Sequence, residues 1–223
     1  PDLFEISVNG IIVDRADTDG WWVDPCFRKI RLPRALLRTG ENRLELKTDF
    51  RNDVNLEAVY LLGDFGVRLD GVRRSLIALP KAVRFGDLTG QGFPFYGGKI
   101  GYLVASSGFG ALPGGIGKAI LALPEFDAAC VKVGGTGGGE TKMIAWRPYE
   151  ADITEELRKR MPLCVEVVLT RRNTFGPLHL VPTRIPEYRP FHFLTEGDSF
   201  SEAYQLIPSG ILGVPEVILR YNG

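Results

Sequence analysis

Apolar and polar positions alternate over short runs along most of the chain, the period of a half-buried strand. Phe4, Ile6 and Val8 share one face of residues 3–8, Asn9-Gly10 offers a hairpin turn, and residues 11–13 resume an extended run. Ile30 and Leu32 flank Arg31, and Leu44-Glu45-Leu46-Lys47 repeats the pattern. Residues 56–62 are more evenly apolar and predict a central strand, with Val67 and Leu69 continuing the series. Further strands are predicted over residues 119–123, 130–133, 165–169 and 214–219, the last with Pro215 at its start or on an edge. Helix signals are brief: one turn over residues 33–37, and residues 152–159 with Thr154 as cap and Leu157 as anchor. Many short strands joined by turns predict an all-β, antiparallel β-sandwich.

A weak internal repeat runs through this pattern. Asn9-Gly10 corresponds to Gly134-Gly135, Trp22 to Trp146, and Ile30-Arg31-Leu32-Pro33 to Ala151-Asp152-Ile153-Thr154. The same spacing separates Leu32 from Glu45 and Ile153 from Glu166, so Leu44-Glu45-Leu46 aligns with Val165-Glu166-Val167. Asp64-Phe65-Gly66 aligns with Thr174-Phe175-Gly176. Several features in one order predict two related sandwiches in tandem. Residues 1–75 would form the first, lacking its opening strands, and residues 76–223 the second, with the seam around residues 70–90.

Composition narrows the classes. The chain of 223 residues carries 27 glycines and 15 prolines, spread without a period, which suits many turns. Lys+Arg and Asp+Glu are 27 each, whereas a protein living on phosphate contacts shows a basic excess, so no nucleic-acid partner is expected. No apolar run is long enough for a membrane span. Cys26, Cys130 and Cys164 form neither a disulfide framework nor a metal knuckle and read as small buried residues. The chain opens at Pro1 directly on a strand-like run and reads as a piece of a longer polypeptide.

These residues resemble a known family. Val8-Asn9-Gly10, Trp21-Trp22, Ile30-Arg31-Leu32-Pro33 and Gly40-Glu41-Asn42-Arg43-Leu44 are similar to the sugar-binding jelly-roll domain of family 2 glycoside hydrolases, which has a galactose-binding-like fold. Residues 55–67 and Gly92-Phe93-Pro94-Phe95-Tyr96-Gly97-Gly98 resemble the C-terminal region of large bacterial enzymes of that kind, including rhamnosidase-like members. Trp146, Asp152-Ile153 and residues 173–179 resemble the closing part of the same region. The resemblance implies a jelly roll that binds glycan, extends an active-site rim or packs the enzyme together. The catalytic barrel of that family takes about 250 residues and alternates strands with true helices, a pattern absent here. No catalytic residue is therefore carried over.

Carbohydrate binding needs exposed aromatics for the C–H faces of sugar rings and planar polar groups for the hydroxyls. Trp21, Trp22, Phe95, Tyr96, Trp146 and Tyr149 are the aromatic candidates. Trp21 and Trp22 are adjacent, so a strand sends them to opposite faces. Trp146 shares the repeat position of Trp22, which favours a packing role for it. Phe95 and Tyr96 follow Asp87, Thr89 and Gln91 in a segment able to hold a ring beside polar groups or to tuck under a sandwich rim. Arg171, Arg172, Asn173 and His179 form a polar group suited to sugar hydroxyls or an acidic sugar, or to loop carbonyls.

Other chemistries find less support. Glycoside hydrolysis needs two carboxylates roughly 5–10 Å apart. Asp64, Asp87, Glu150, Asp152 and Asp198 are the obvious acids, with turn capping the competing role of Asp64 and Asp152. Asp14, Asp17 and Asp19 supply three acids in one turn for calcium, but no Glu closes an EF-hand loop. His179 and His192 have no cysteine near them for zinc. The glycine-rich stretches lack the Gly-Lys-Ser/Thr ending of a phosphate loop, and no nucleophile elbow occurs. No cofactor is expected beyond calcium. The expected function is a non-catalytic accessory region of a larger glycoside hydrolase, with the catalytic domain of the same polypeptide and an oligo- or polysaccharide as partners. The alternatives are a hydrolase using a carboxylate pair and a structural or adhesion module. The compartment stays open between secreted, periplasmic and cytoplasmic.

Overall fold

The computed structural model describes residues 3–14, 18–54, 58–105, 113–136 and 140–222. The chain divides into two compact units, Pro1–Leu62 and Gly63–Gly223. A division after residue 75 would cut the second strand of a hairpin that lies wholly in the second unit. Among the described residues, regular structure is mostly strand, every strand pairing is antiparallel, and helices are few and short.

The first unit holds β1 (Glu5–Val8), β2 (Ile11–Ile12), β3 (Thr18–Trp22), β4 (Asp24–Ile30) and β5 (Leu44–Lys47). β1 is the centre of a sheet ordered β2-β1-β5, and β3 and β4 pair with each other. Asn9 (φ 53°) and Gly10 (φ 82°) both lie in the left-handed region, as a tight two-residue hairpin between β1 and β2 requires. Alternation buries Ile6 and Val8, which with Val13 form a small core lined by Phe4, Ile30, Leu32 and Leu36. A 3-10 turn over Arg34–Leu36 delivers Leu36. Asn9 ties this unit together. Its amide donates to Leu36 O (2.8 Å) and Asn42 Oδ1 (2.9 Å), and its Oδ1 accepts Arg43 N (2.9 Å).

The predicted central strand over residues 56–62 is not found. Residues 58–62 form no strand, Val59, Leu61 and Leu62 are exposed, and residues 55–57 lie outside the described set. An evenly apolar run carries no alternation to choose a face or a register, so composition alone does not make it a strand.

The second unit starts with the hairpin β6 (Phe65–Asp70) and β7 (Arg73–Ala78), then β8 (Lys99–Val104), β9 (Ile116–Ala122), β10 (Phe126–Asp127), β11 (Cys130–Gly135) and β12 (Lys142–Ile144). β13 (Glu150–Asp152), α1 (Thr154–Arg158), β14 (Leu163–Val168), α2 (Arg172–Phe175), β15 (Gly210–Ile211) and β16 (Glu216–Tyr221) follow. One sheet is ordered β12-β11-β14-β8, another β13-β9-β16, and β10 pairs with β15. Val131 pairs with Val167 and Ile144, Val165 with Val133 and Tyr102, so these side chains share one face. Ala119 and Leu121 of β9 face the same way as Leu219 and Val217 of β16. Residues of both sheets enter one buried cluster, with Leu88, Ile153, Leu157 and Ile211.

α1 is short because its sequence is anchored by Leu157 and stopped at once by Arg160, which takes φ 51°. Thr154 does not cap it. The cap position is Ile153, and the residue before it closes the entry turn: Asp152 Oδ1 accepts Thr154 N (3.0 Å) and Thr154 Oγ1 (2.5 Å), while Thr154 Oγ1 accepts Ala119 N (2.9 Å). Asp152 thereby fixes the helix turn onto β9.

Candidate functional site

The structure brings Phe95, Tyr96, Arg172, Asn173 and His179 to one corner of the second unit. Phe95 meets the Tyr204 ring at 5.1 Å, and His179 meets Tyr204 at 5.2 Å and Phe200 at 5.5 Å. Thr174 Oγ1 donates to Phe95 O (2.8 Å). A Cβ on Gly97 would stand 2.7 Å from Thr174 Oγ1 and 2.9 Å from Arg171 Cγ, so glycine is what lets the aromatic segment lie against α2. Arg74 Nη1 donates to the Tyr204 hydroxyl (3.0 Å), tying the β6–β7 hairpin to the same corner.

Most polar groups of this corner are already engaged. Asn173 is buried, its amide donating to Ile207 O (2.8 Å) and its Oδ1 accepting Ile207 N (3.0 Å). His179 Nδ1 donates to Ser201 O (2.8 Å). Asp87 accepts from Thr89 and Ser209, and Gln91 exchanges bonds with Arg84, so the polar residues preceding Phe93 hold their own turn. Arg172 lies over the Tyr188 ring (4.6 Å) and donates to Thr183 O (3.2 Å), while its Nε and Nη1 are buried without a hydrogen-bond partner. Tyr96 is an exposed aromatic here. It touches Phe93 at 5.8 Å, and its hydroxyl donates to Lys99 O (3.2 Å).

The other aromatic candidates lie elsewhere. Trp22 is half-buried with Phe27 (6.1 Å) and Tyr60 (5.5 Å), and Trp21 is exposed on β3. The repeat position shared with Trp22 predicts packing for Trp146, yet Trp146 is 73% exposed. The reason is local. Trp22 has Phe27 and Tyr60 across from it, whereas Trp146 follows the end of β12 on the loop that leads to β13. That loop is joined to the one before β10, which is joined in turn to the residues after β15. Leu123 N donates to Tyr149 O (2.8 Å), and Leu212 N donates to Glu125 O (2.9 Å). Arg147 pairs with Glu125 and lies over Tyr149 (5.2 Å), whose other neighbour is Phe126 (4.5 Å). Glu125 and Leu212 are not singled out by sequence, because nothing near them in the chain signals the partners that fold against them.

A charged recess of about 520 Å³ lies over α1, lined among others by Lys118, Lys142, Asp152, Glu155, Glu156 and Lys159. Lys142 Nζ donates to Asp152 O and to Glu156 Oε1 (2.6 Å). Glu156 is buried, and its Oε2 has no hydrogen-bond partner. Bonds from the Thr154 side chain and backbone hold the Asp152 carboxyl below its ordinary range, aided by Lys118 and Lys142. Asp152 is therefore a charged acceptor at neutral pH and not an acid able to give up a proton.

Of the acidic turn expected for calcium, residues 15–17 lie outside the described set. Among the described residues, no group of three or more His, Cys, Asp or Glu converges for a metal. The cysteines depart from expectation: Cys26 is exposed and Cys130 and Cys164 are half-buried. Burial and the neighbouring Glu166 raise the Cys164 thiol above its ordinary value, which lowers its reactivity. No described helix is long and apolar enough to cross a membrane. No family model matches the chain, and no curated protein and no solved structure matches it.

Proposed function

We propose that this chain is a non-catalytic, jelly-roll β-sandwich region of a larger glycoside hydrolase, supporting the catalytic domain and offering surface for carbohydrate. The observation that carries the reading is the second unit's core. Two antiparallel sheets feed one apolar cluster, and the chain crosses from one sheet to the other after β8, β9, β12, β13 and β14. Repeated crossing between facing sheets is the habit of jelly rolls. The segments that resemble the glycosidase region fit this role. Asn9, Gly97, Asn173 and the Phe95–Tyr204 pair work as fasteners, which explains similarity that follows the fold more than a reaction.

The test is an assay of the full chain against a panel of fluorogenic aryl glycosides, beside the proposed larger hydrolase. The expected result is no turnover by the chain, and a fall in activity or solubility of the longer enzyme when the chain is deleted. The hydrolase alternative has one observation in its favour, the recess that holds Asp152 and Glu156. Turnover by the chain, abolished by Asp152→Asn with Glu156→Gln, would replace the accessory reading with that alternative.

A further inference from the structure

We propose that β16 is a self-pairing edge through which the second unit joins a second copy of this chain, antiparallel and two-fold symmetric about Ile218. The inference stands on strand register, burial and charge, and it does not rest on the glycosidase reading.

β16 ends the sheet β13-β9-β16, and among the described residues no strand pairs with its outer side. The direction of its backbone groups follows from β9. Ala119 N donates to Thr154 Oγ1 and Ala119 O accepts from Ile153 N, so the main chain of Ala119 is engaged on the β13 side. Alternation turns the groups of Lys118, Ile120 and Ala122 the other way, onto their β16 partners Arg220, Ile218 and Glu216. The N–H and C=O groups of Val217 and Leu219 therefore point out of the sheet, the arrangement that templates pairing with another strand. Their side chains lie on the core face and are only partly buried, while Ala119 and Leu121 beside them on β9 are closed off. One more strand would satisfy those backbone groups and cover those side chains.

The sequence of the edge selects that strand. The regular ladder runs from Glu216 to Arg220 and shifts before Tyr221, which puts Ile218 at its centre. An antiparallel copy centred there sets Ile218 against its counterpart, Val217 against Leu219 and Glu216 against Arg220. Val217 and Leu219 then exchange their outward N–H and C=O groups, and each carboxylate meets a guanidinium. Both charges can reach a copy: Glu216 is exposed, and Arg220 stays 61% exposed with Glu150 4.0 Å away. Such a contact is isologous and closes on itself, so it gives a dimer and not a fibre. The other edges do not match their own copies. β13 centred on Ala151 would oppose Glu150 to Asp152, two like charges. β12 and β8 would set Lys142 against Ile144 and Lys99 against Val104, with no opposite charge in either strand.

The experiment is sedimentation equilibrium of the whole chain from about 1 μM to near-millimolar concentration. The expected result is a reversible monomer–dimer equilibrium. Glu216→Arg and Arg220→Glu each set like charges against one another at both ends of the pair and weaken the dimer about tenfold or more. An equimolar mixture of the two variants, whose edges carry opposite charge, regains the parent affinity as a heterodimer. Each variant keeps the parent's circular dichroism, because both side chains are exposed. In the parent, amide hydrogen exchange at Val217 and Leu219 slows as concentration rises through the dimerisation midpoint. A parent that stays monomeric throughout overturns the proposal. So does a dimer that both variants leave intact, a mixture of folded variants that does not recover it, or exchange at Val217 and Leu219 that ignores concentration. The exchange measurement uses the parent alone and decides the matter if a variant misfolds.

Discussion

The sheet β2-β1-β5 of the first unit and the strands β12-β11-β14 of the second are built alike. In each, a central strand has its hairpin partner on one side and a later strand on the other. The registers also agree with the repeat. Leu44, Glu45 and Leu46 pair with Val8, Ser7 and Ile6, and Val165, Glu166 and Val167 pair with Val133, Lys132 and Val131. Burial separates them: Leu44 and Leu46 are 46% and 43% exposed, while Val165 and Val167 are 1% and 0%. A second sheet covers the face of β14, and β5 is an edge strand among the described residues. Equal pairing thus does not give equal energetics, because the stabilisation comes mostly from the apolar area that a second layer removes from water.

The sharpest way to break the comparison is to put a charge at matched positions. Val167→Asp buries an unpaired carboxylate and should cost more than about 4 kcal/mol, enough to abolish the cooperative urea transition of the second unit. Leu46→Asp should stay within about 1 kcal/mol of the parent. Equal effects of the two would mean that the first unit is covered as fully as the second.

A smaller difference is expected between the two asparagine clamps. Asn173→Ala leaves both Ile207 backbone groups without partners in a buried place and should cost about 2–4 kcal/mol in chemical denaturation. Asn9→Ala acts on partly exposed groups that water can satisfy and should cost about 1 kcal/mol. A larger loss at Asn9 would reverse the ranking of the two units.

The smallest effect concerns the helix turn, where Asp152 and Thr154 of the second unit correspond in the repeat to Arg31 and Pro33 of the first. Asp152→Ala should cost about 1 kcal/mol at pH 7. Its folded carboxyl titrates below the ordinary value of 3.8, so its contribution is present above that value and lost as pH falls through the folded one. Urea midpoints of parent and variant should therefore converge only as the pH is taken well below 3.8. A gap that persists there would assign the loss to packing instead.

Much of the strand inventory was legible from alternation. Ile6 and Val8, Val131 and Val133, and Val165 and Val167 all lie buried on the faces that their period predicts. The one-turn segment at residues 34–36 was legible as well, since Pro33 presets its start. Residues 58–62 were not, because a uniform apolar run sets no face. Of the candidate site, the aromatic residue types were legible and their roles were not. Trp22 and Trp146 share a repeat position, yet one has ring neighbours and the other has solvent. Arg172 and Asn173 are adjacent, yet Asn173 is spent on Ile207 while two nitrogens of Arg172 have no partner.

The sequence alone determined the short-strand, antiparallel character of this protein, its tight turns and the repeat. Those follow from side-chain alternation and from backbone angles that only certain residues adopt, both local properties. The tertiary structure decided which strands are covered and which aromatics are spent. It also placed Glu125 beside Arg147, a pairing of residues far apart in the chain. Burial and pairing depend on what packs against a residue from elsewhere, and no local pattern encodes that.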